Sequence, residues 1–545
     1  MAAAMAARSV VDVDARARRA SASTSPADDD ARDGPSARAR SPRASMTTRA
    51  RRSRAREGMT STAVMRASTR LRARTARAWA SRGRACWRAS SRACWRAWAS
   101  TGASDAREDA KARSVVFLGW EWIDVDASAA GARSDALVRG ALERSWRVTC
   151  VGCARENDAT ARLRAMGVTT ARVRANRGDA LRDALTIAAP DVVVFDRFLA
   201  EEAFGARVRE CAPGVARVLD MQDAHALRRA RERAAKRGAD AGEATRTTPA
   251  ARDEDLMREI ASVERSDLTL VCSPVEKRWL ERGCGISEKK LRVASFFNRD
   301  VEHDAREMDF NARSDFITVG TFLHKPNVDS VRWLCEEVWP LVRERLPKAT
   351  MRVYGSYANE SIRQQFHRPK MGFHVEGFAE DLATTMRSAR VLLAPLRFGA
   401  GIKGKVLDAW TYGLPVCTTP IGSEGTVPGV DEFWSSKSDA IDPEHGWGGF
   451  GDCVAASDLA DAAVRLHEDE ALWQRARENG ADIVNEIFSA KLNIPDVLDA
   501  IEDVVNNLQD VRDADFHGQS LWHHTERSTL YFSKWIELKE TGENT

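Results

Sequence analysis

From Ser114 onward, short strand-like runs alternate with amphipathic helical stretches, and this alternation constrains the fold more than any other feature of the chain. The runs are SVVFL (Ser114–Leu118), RVTCV (Arg147–Val151), DVVVF (Asp191–Phe195), ARVLD (Ala216–Asp220), LTLVC (Leu268–Cys272) and LRVAS (Leu291–Ser295). Helical text between most of them predicts a parallel sheet covered on both faces, hence one doubly wound α/β domain over 113–297.

Around Asn298–Arg313 the text turns charged and aperiodic, as expected of a linker spanning 298–314. A second series follows: DFITVG (Asp315–Gly320), TMRVYG (Thr350–Gly355), GFHVEG (Gly372–Gly377), RVLLAP (Arg390–Pro395) and LPVCTT (Leu414–Thr419). The clearest helix is Asp329–Leu346, with Leu334, Val338, Leu341, Val342 and Leu346 on one face. This predicts a second Rossmann-like domain over 315–488 and a cleft between the carboxyl ends of the two sets of strands, where open α/β sheets bind ligands. Lys236–Arg252 reads as an unstructured surface loop. Residues 489–545 read as a helical segment and an aromatic tail carrying Trp522, Tyr531 and Trp535, whose role the sequence does not indicate.

Charge divides the chain. Residues 1–112 carry 25 Lys and Arg against 10 Asp and Glu, and the remainder 58 against 69, within a formal net charge of +4. The arm is Arg-, Ala- and Ser-rich with few large aliphatics, too few to offset the entropy of ordering, so it is expected to be disordered. Its acid-poor character fits an organellar transit peptide for chloroplast or mitochondrion. The alternative is an overlong reading frame with Met46 or Met59 as the start, and then a cytoplasmic protein. Nucleic-acid binding by the arm is a weaker reading, since a basic low-complexity run carries charge without a readable fold. No run of 18 apolar residues occurs, so no membrane-spanning helix is expected. The ten cysteines fall mostly at apolar positions, as buried free thiols do, and the Cys150–Cys153 CxxC lacks a second pair at zinc spacing.

The chemistry concentrates in RFGAGIKGKVLDAWTYGLPV (Arg397–Val416), read as a glycine turn opening a helix. Gly399, Gly401 and Gly404 let backbone N–H groups approach a polyanion at a helix N-terminus, and Lys403 and Lys405 supply positive charge. Lys405 lies in the first helical turn, where a cation opposes the helix dipole unless an anion is present.

This stretch resembles the retaining glycosyltransferases of the GT-B fold, group 1 or family 4, which carry a GxGxxxKxLEAxAxGxPVV segment and then a GxEG turn. The matching residues are Gly399, Gly401, Lys405, Leu407, Asp408, Ala409, Gly413, Pro415 and Val416, then Gly422, Glu424 and Gly425. The resemblance implies that Lys405 contacts the donor diphosphate, Asp408 the ribose, and the Gly401–Gly404 backbone the sugar. Two positions depart from the pattern: Ala400 stands where many members have a glutamate, and Asp408 where they have the longer Glu.

FITVGTFLHKPNVDSVRWL (Phe316–Leu334) is similar to the family's first strand and loop of the nucleotide domain, which implies a basic residue at the diphosphate, with Lys325 the candidate. DASAAGARSDALVRGAL (Asp126–Leu142) resembles the acceptor-side turn, with Gly131 opening a helix towards the phosphates. VLDMQDAHALRRARE (Val218–Glu232) resembles a YDxxDxHxxR segment through Asp220, Asp223, His225 and Arg228. The resemblance spans roughly Ser114–Phe488.

The expected activity is transfer of a sugar from a nucleotide-diphosphate sugar, UDP-linked by preference, to a glycan, lipid or small-molecule acceptor. Lys325, Lys405, Asp223 and His225 are the candidate catalytic residues. Gly131, Gly399, Gly401, Lys403, Gly404, Asp408, Glu424 and Gly425 are the candidate donor-binding set. No metal is expected: Asp124–Val125–Asp126 spells DxD, but after the first strand of the wrong architecture for that motif. No other cofactor and no nucleic-acid partner are expected. Ala400 and Asp408 also suit an inactive donor-binding scaffold, and a sugar-nucleotide epimerase or a phosphorylase shares the two-domain shape.

Overall fold

The computed structural model describes residues 112–541, apart from 126–127, 176–177, 302–309, 428 and 430–439. The basic arm, with every reading attached to it, lies outside the described residues. Ala110–Thr545 forms one compact unit.

Strands β1 (Ser114–Gly119), β2 (Arg147–Gly152), β3 (Thr169–Arg172), β4 (Val192–Asp196), β5 (Ala216–Asp220), β6 (Leu268–Val271) and β7 (Leu291–Val293) form the first sheet. Its order is β3-β2-β1-β4-β5-β6-β7, all parallel. The second sheet contains β8 (Ser314–Val319), β9 (Met351–Tyr354), β10 (Phe373–Gly377), β11 (Ala389–Ala394), β12 (Val416–Thr418) and β13 (Gly449–Phe450). Its order is β10-β9-β8-β11-β12-β13, again parallel. The order in which strands are added reverses at β1/β4 and β8/β11, the switch points where such sheets open a crevice. The central strands are buried along their length, as Val115, Val116 and Leu118 in β1 and Val391–Ala394 in β11 show, which explains their unbroken apolar text.

Two edge strands escaped the sequence reading. β3 is TTAR, with no large aliphatic and only half-buried or exposed positions, and β13 is two residues long. Both pair on one side only, so neither needs an apolar signature.

Two further expectations are corrected. Lys236–Arg252 is not an unstructured surface loop: it contains the helix Ala241–Arg246, capped reciprocally by Asp240 and Glu243, with Ala241, Ala244 and Thr245 buried. Small side chains, read as low complexity, instead let this helix lie close to the His225–Lys236 helix and to Pro420–Ser423 of the second domain. The Asp329–Leu346 helix begins earlier, at Lys325, and is interrupted by a π turn at Leu334–Val338 before Trp339–Arg345. Pro340 lacks an N–H and crowds the carbonyl four residues back, so the ladder widens there.

The C-terminal segment returns to the first domain. Helix Ala490–Asn506 packs on the Ala129–Glu143 helix, burying Val497, Leu498 and Ile501 with Leu137 and Val138. Helix Phe516–Thr541 lies against Arg197–Cys211 and Glu254–Arg265. It inserts Trp522, 2% exposed, whose Nε1 donates to the Arg265 carbonyl at 2.8 Å, with the Arg209 and Arg217 guanidiniums each 4.7 Å from its ring.

Candidate functional site

After β11 the chain crosses into the helix Gly404–Thr411, which Val406, Leu407 and Trp410 anchor in the core. No side chain caps its N-terminus, so its first N–H groups keep their capacity to bind an anion. The turn before it meets the first domain. Gly401 has φ +65°, and a Cβ there would lie 3.0 Å from Cys272 Sγ and 3.2 Å from Asp223 Cβ. A side chain at this position would be both strained and obstructed. Gly404 presses on Ala129, Gly399 on Ile421, and Gly425, φ +75°, on Ser273 Oγ. Gly131, near the start of the Ala129–Glu143 helix, is pressed against the Asp124 carbonyl and donates its N–H to Ser128 Oγ at 3.0 Å.

Lys405 lies partly buried on the first turn of its helix, with Nζ donating to Asn327 Oδ1 at 2.8 Å. Asn327 Nδ2 donates in turn to the Thr321 carbonyl at 3.0 Å, which orients the amide. Among the described residues no carboxylate pairs with Lys405. Burial, reinforced by Lys403, pushes its ammonium down to about 8. Lys403 is spent on its own turn, where Nζ donates to the Ala400 and Gly401 carbonyls. Asp408 is three residues beyond Lys405 and shares its helix face. It is half-buried, with no ion-pair partner among the described residues, and burial raises it to about 7.

Across the cleft, β5 ends at Asp220 and the chain turns through Gln222, φ +62°, into the helix His225–Lys236. Asp223 sits in that turn. Its Oδ1 lies 3.3 Å from His225 Nε2 and its Oδ2 2.9 Å from the Arg228 guanidinium. Burial alone would raise Asp223, but Arg228, His225 and Arg197 outweigh it and hold the carboxylate well below its usual range. His225 is packed edge-on against Phe198 and lowered chiefly by burial, so it is neutral at neutral pH. Backbone N–H groups of His225 and Ala226 donate to Glu259, and that of Ala224 to Glu276. Desolvation raises Glu259 to about 8 and Glu276 to about 7.

Beside Asp220, whose carboxylate accepts from Arg133 at 2.5 and 2.7 Å, a cavity of about 210 Å³ opens at the β1/β4 switch point between Glu121, Ser128, Asp196 and Arg197. In the second domain a hollow of about 520 Å³ opens beyond β8–β10, with Tyr357 and Phe378 exposed on it.

The structure therefore brings together Asp223, His225, the Gly399–Gly404 turn, Lys403, Lys405 and Asp408. Lys325 stands apart. Its side chain is 77% exposed, with Nζ 3.8 Å from Glu232 of the first domain. Its neighbour His324 is the residue turned towards Arg228, 3.4 Å from Nε2, and towards Lys405. Protein packing round the ring and these cations push His324 down to about 4. Sequence reasoning missed His324 and Asn327 because FLHKPN offers two basic residues and only helix phase separates them. Glu424 is buried in a pair with Arg231 of the first domain. Asp126 of the DxD lies outside the described residues, and among the described residues no three His, Cys, Asp or Glu side chains cluster as a metal would require.

Two Rossmann-like domains whose strand ends face one cleft make this a GT-B fold. The family model described as glycosyl transferases group 1 matches residues 313–445. No curated protein sequence matches the chain. Among solved structures, a glycosyltransferase from Rickettsia africae is similar at TM-score 0.52 and 10% identity, over 72% of this chain and 99% of its own. Anabaena HepE in complex with UDP and glucose is similar at TM-score 0.52 and 12% identity, over 72% and 99%. Sucrose-phosphate synthase from Thermosynechococcus elongatus is similar at TM-score 0.51 and 15% identity, over 72% and 99%. None of the described helices is long and apolar enough to cross a membrane.

Proposed function

We propose that the chain is a glycosyltransferase that moves a sugar from a nucleotide-diphosphate sugar to a hydroxyl-bearing glycan, lipid or small-molecule acceptor, with retention and without need of a metal. The observation that carries this reading is Lys405: a partly buried ammonium at an uncapped helix N-terminus, bonded to a neutral amide. Desolvating such a charge without a carboxylate is costly, and a diphosphate is an anion that would offset the cost.

In transfer, the bond between the anomeric carbon and the diphosphate breaks, the acceptor oxygen bonds that carbon, and the acceptor proton leaves towards the departing phosphate. Negative charge grows on the diphosphate. Lys405 and the N–H groups of the Gly404–Thr411 helix stabilise that state more than the ground state, and Lys325, exposed at the start of its helix, adds positive charge to the donor side. Asp408, one turn along, faces the ribose. Asp223, held ionised and fixed by Arg228 and His225, lies beside the Gly401 turn, placed to orient the sugar and balance positive charge at its anomeric carbon. The Tyr357–Phe378 hollow offers aromatic surface for the base, with UDP favoured as in the HepE complexes. The cavity at β1/β4 is the acceptor's entry.

Calorimetric titration of UDP, GDP and ADP into the protein in EDTA tests the donor site. One nucleotide binding in the micromolar range, and at least about tenfold more weakly to Lys405→Ala, is expected. Equal binding to both proteins refutes the assignment.

A further inference from the structure

We infer that Arg231 is a positioning residue for transfer, tying the glycine turn of the second domain to Asp223 of the first. This rests on the donor-site reading above and adds a residue that reading does not contain. Arg231 lies on the His225–Lys236 helix, three residues beyond Arg228, so the helix that orients Asp223 also carries it. Its side chain is completely buried, and that of Glu424 is 2% exposed.

One terminal nitrogen of Arg231 donates to the Gly399 carbonyl at 2.9 Å and to Glu424 Oε2 at 2.7 Å. The other donates to the Thr245 carbonyl and to Glu424 Oε1, both at 2.7 Å. A guanidinium fork thus joins three segments: the inserted helix, the start of the glycine turn, and the loop after β12. Lysine, a point charge, cannot reproduce that geometry. Buried ion pairs add little net stability, and their best-attested use is to specify one arrangement over others. The arrangement here is the approach of Gly401 to Asp223. With Gly399 held by Arg231, the turn that precedes Lys405 keeps a fixed distance from the carboxylate. Glu424, engaged by Arg231, acts on the donor only through this tie. Misplacement of a reacting group by about 1 Å costs on the order of a hundredfold in rate.

The test compares the full chain with Arg231→Lys, which keeps the charge but not the fork, and Glu424→Gln, which keeps the shape but not the charge. With the nucleotide sugar that gives turnover, kcat is expected to fall at least about tenfold in both, with KM for the donor nearly unchanged. Amide hydrogen exchange across residues 399–404 is expected to quicken. Wild-type kcat in either folded variant, or a raised KM at full kcat, overturns the inference. If the wild-type chain turns over no nucleotide sugar, the donor-site reading fails, and the exchange measurement then judges the tie alone: faster exchange in both variants upholds it, and unchanged exchange overturns it.

Discussion

Lys405 Nζ donates to Asn327 Oδ1 at 2.8 Å, so the cation at the head of the Gly404–Thr411 helix rests on a neutral amide where a stabilising design would place a carboxylate. A carboxylate there would occupy the place of an anionic ligand. The arrangement leaves the positive charge uncancelled and ready.

Replacing Lys405 by Ala is therefore expected to lower kcat about a hundredfold, the scale of losing one charge contact of about 3 kcal/mol made in the transition state. Steady-state kinetics on the two proteins decide it, and equal turnover would contradict the assignment.

The pH profile should carry the same lysine. Lys405 is pushed down to about 8, so it is charged below that pH and loses its charge above it. His324, pushed down to about 4, is already neutral and cannot compensate. In the free enzyme, kcat/KM for the donor is expected to fall as pH rises through about 8. A profile flat from pH 7 to 9.5 would assign the charge elsewhere.

Stability should move in the opposite direction from activity. A lysine whose folded pKa lies below its unfolded value opposes folding while it is charged, and this opposition fades as pH rises towards the unfolded pKa. Lys405→Met is expected to raise Tm at pH 7 by roughly 2 °C, with the gain shrinking towards pH 10. A lower Tm at pH 7 would mean that the Asn327 contact outweighs the desolvation.

Asp408 is raised by burial to about 7 and has no ion-pair partner among the described residues. The ribose contact proposed for it predicts that Asp408→Ala raises KM for the donor about tenfold with little change in kcat, as loss of a hydrogen bond made equally in ground and transition states does. A fall in kcat alone would place Asp408 nearer the reacting atoms.

Trp522 anchors the C-terminal helix through Arg265, Arg209 and Arg217, none of them a candidate site residue. Trp522→Ala is expected to destabilise the fold by about 3 kcal/mol, measured by denaturant unfolding, while leaving kcat of the folded fraction intact. Little loss of stability would mean that the ring, with its burial and its cation contacts, is not what holds the helix.

How much of this was legible in the text varies with what each residue must do. β1 and β11 could be read because strands buried on both faces need unbroken apolar runs, and the glycine turn because close backbone approach admits little else. β3 and β13, at the sheet edges, carry no such demand. The inserted helix Ala241–Arg246 was hidden because Ala and Thr suit tight packing and loose loops equally. Within the site, Lys405 stood out in the glycine turn and Asp223 through the resemblance of its segment, whereas the Arg231–Glu424 pair joins residues 193 apart, and no spacing rule reaches that far. The choice between His324 and Lys325 turns on the phase of a helix whose start, at Lys325, the sequence reading set four residues too late.

The most direct measurement is release of free nucleotide from a panel of UDP-, GDP- and ADP-sugars, with EDTA present, by the wild-type chain and by Lys405→Ala. Metal-independent release from one donor, reduced about a hundredfold in the variant, is the predicted result. Tight nucleotide binding without release from any donor, even with candidate acceptors added, would contradict it and leave a donor-binding protein in which Ala400 becomes the first position to explain.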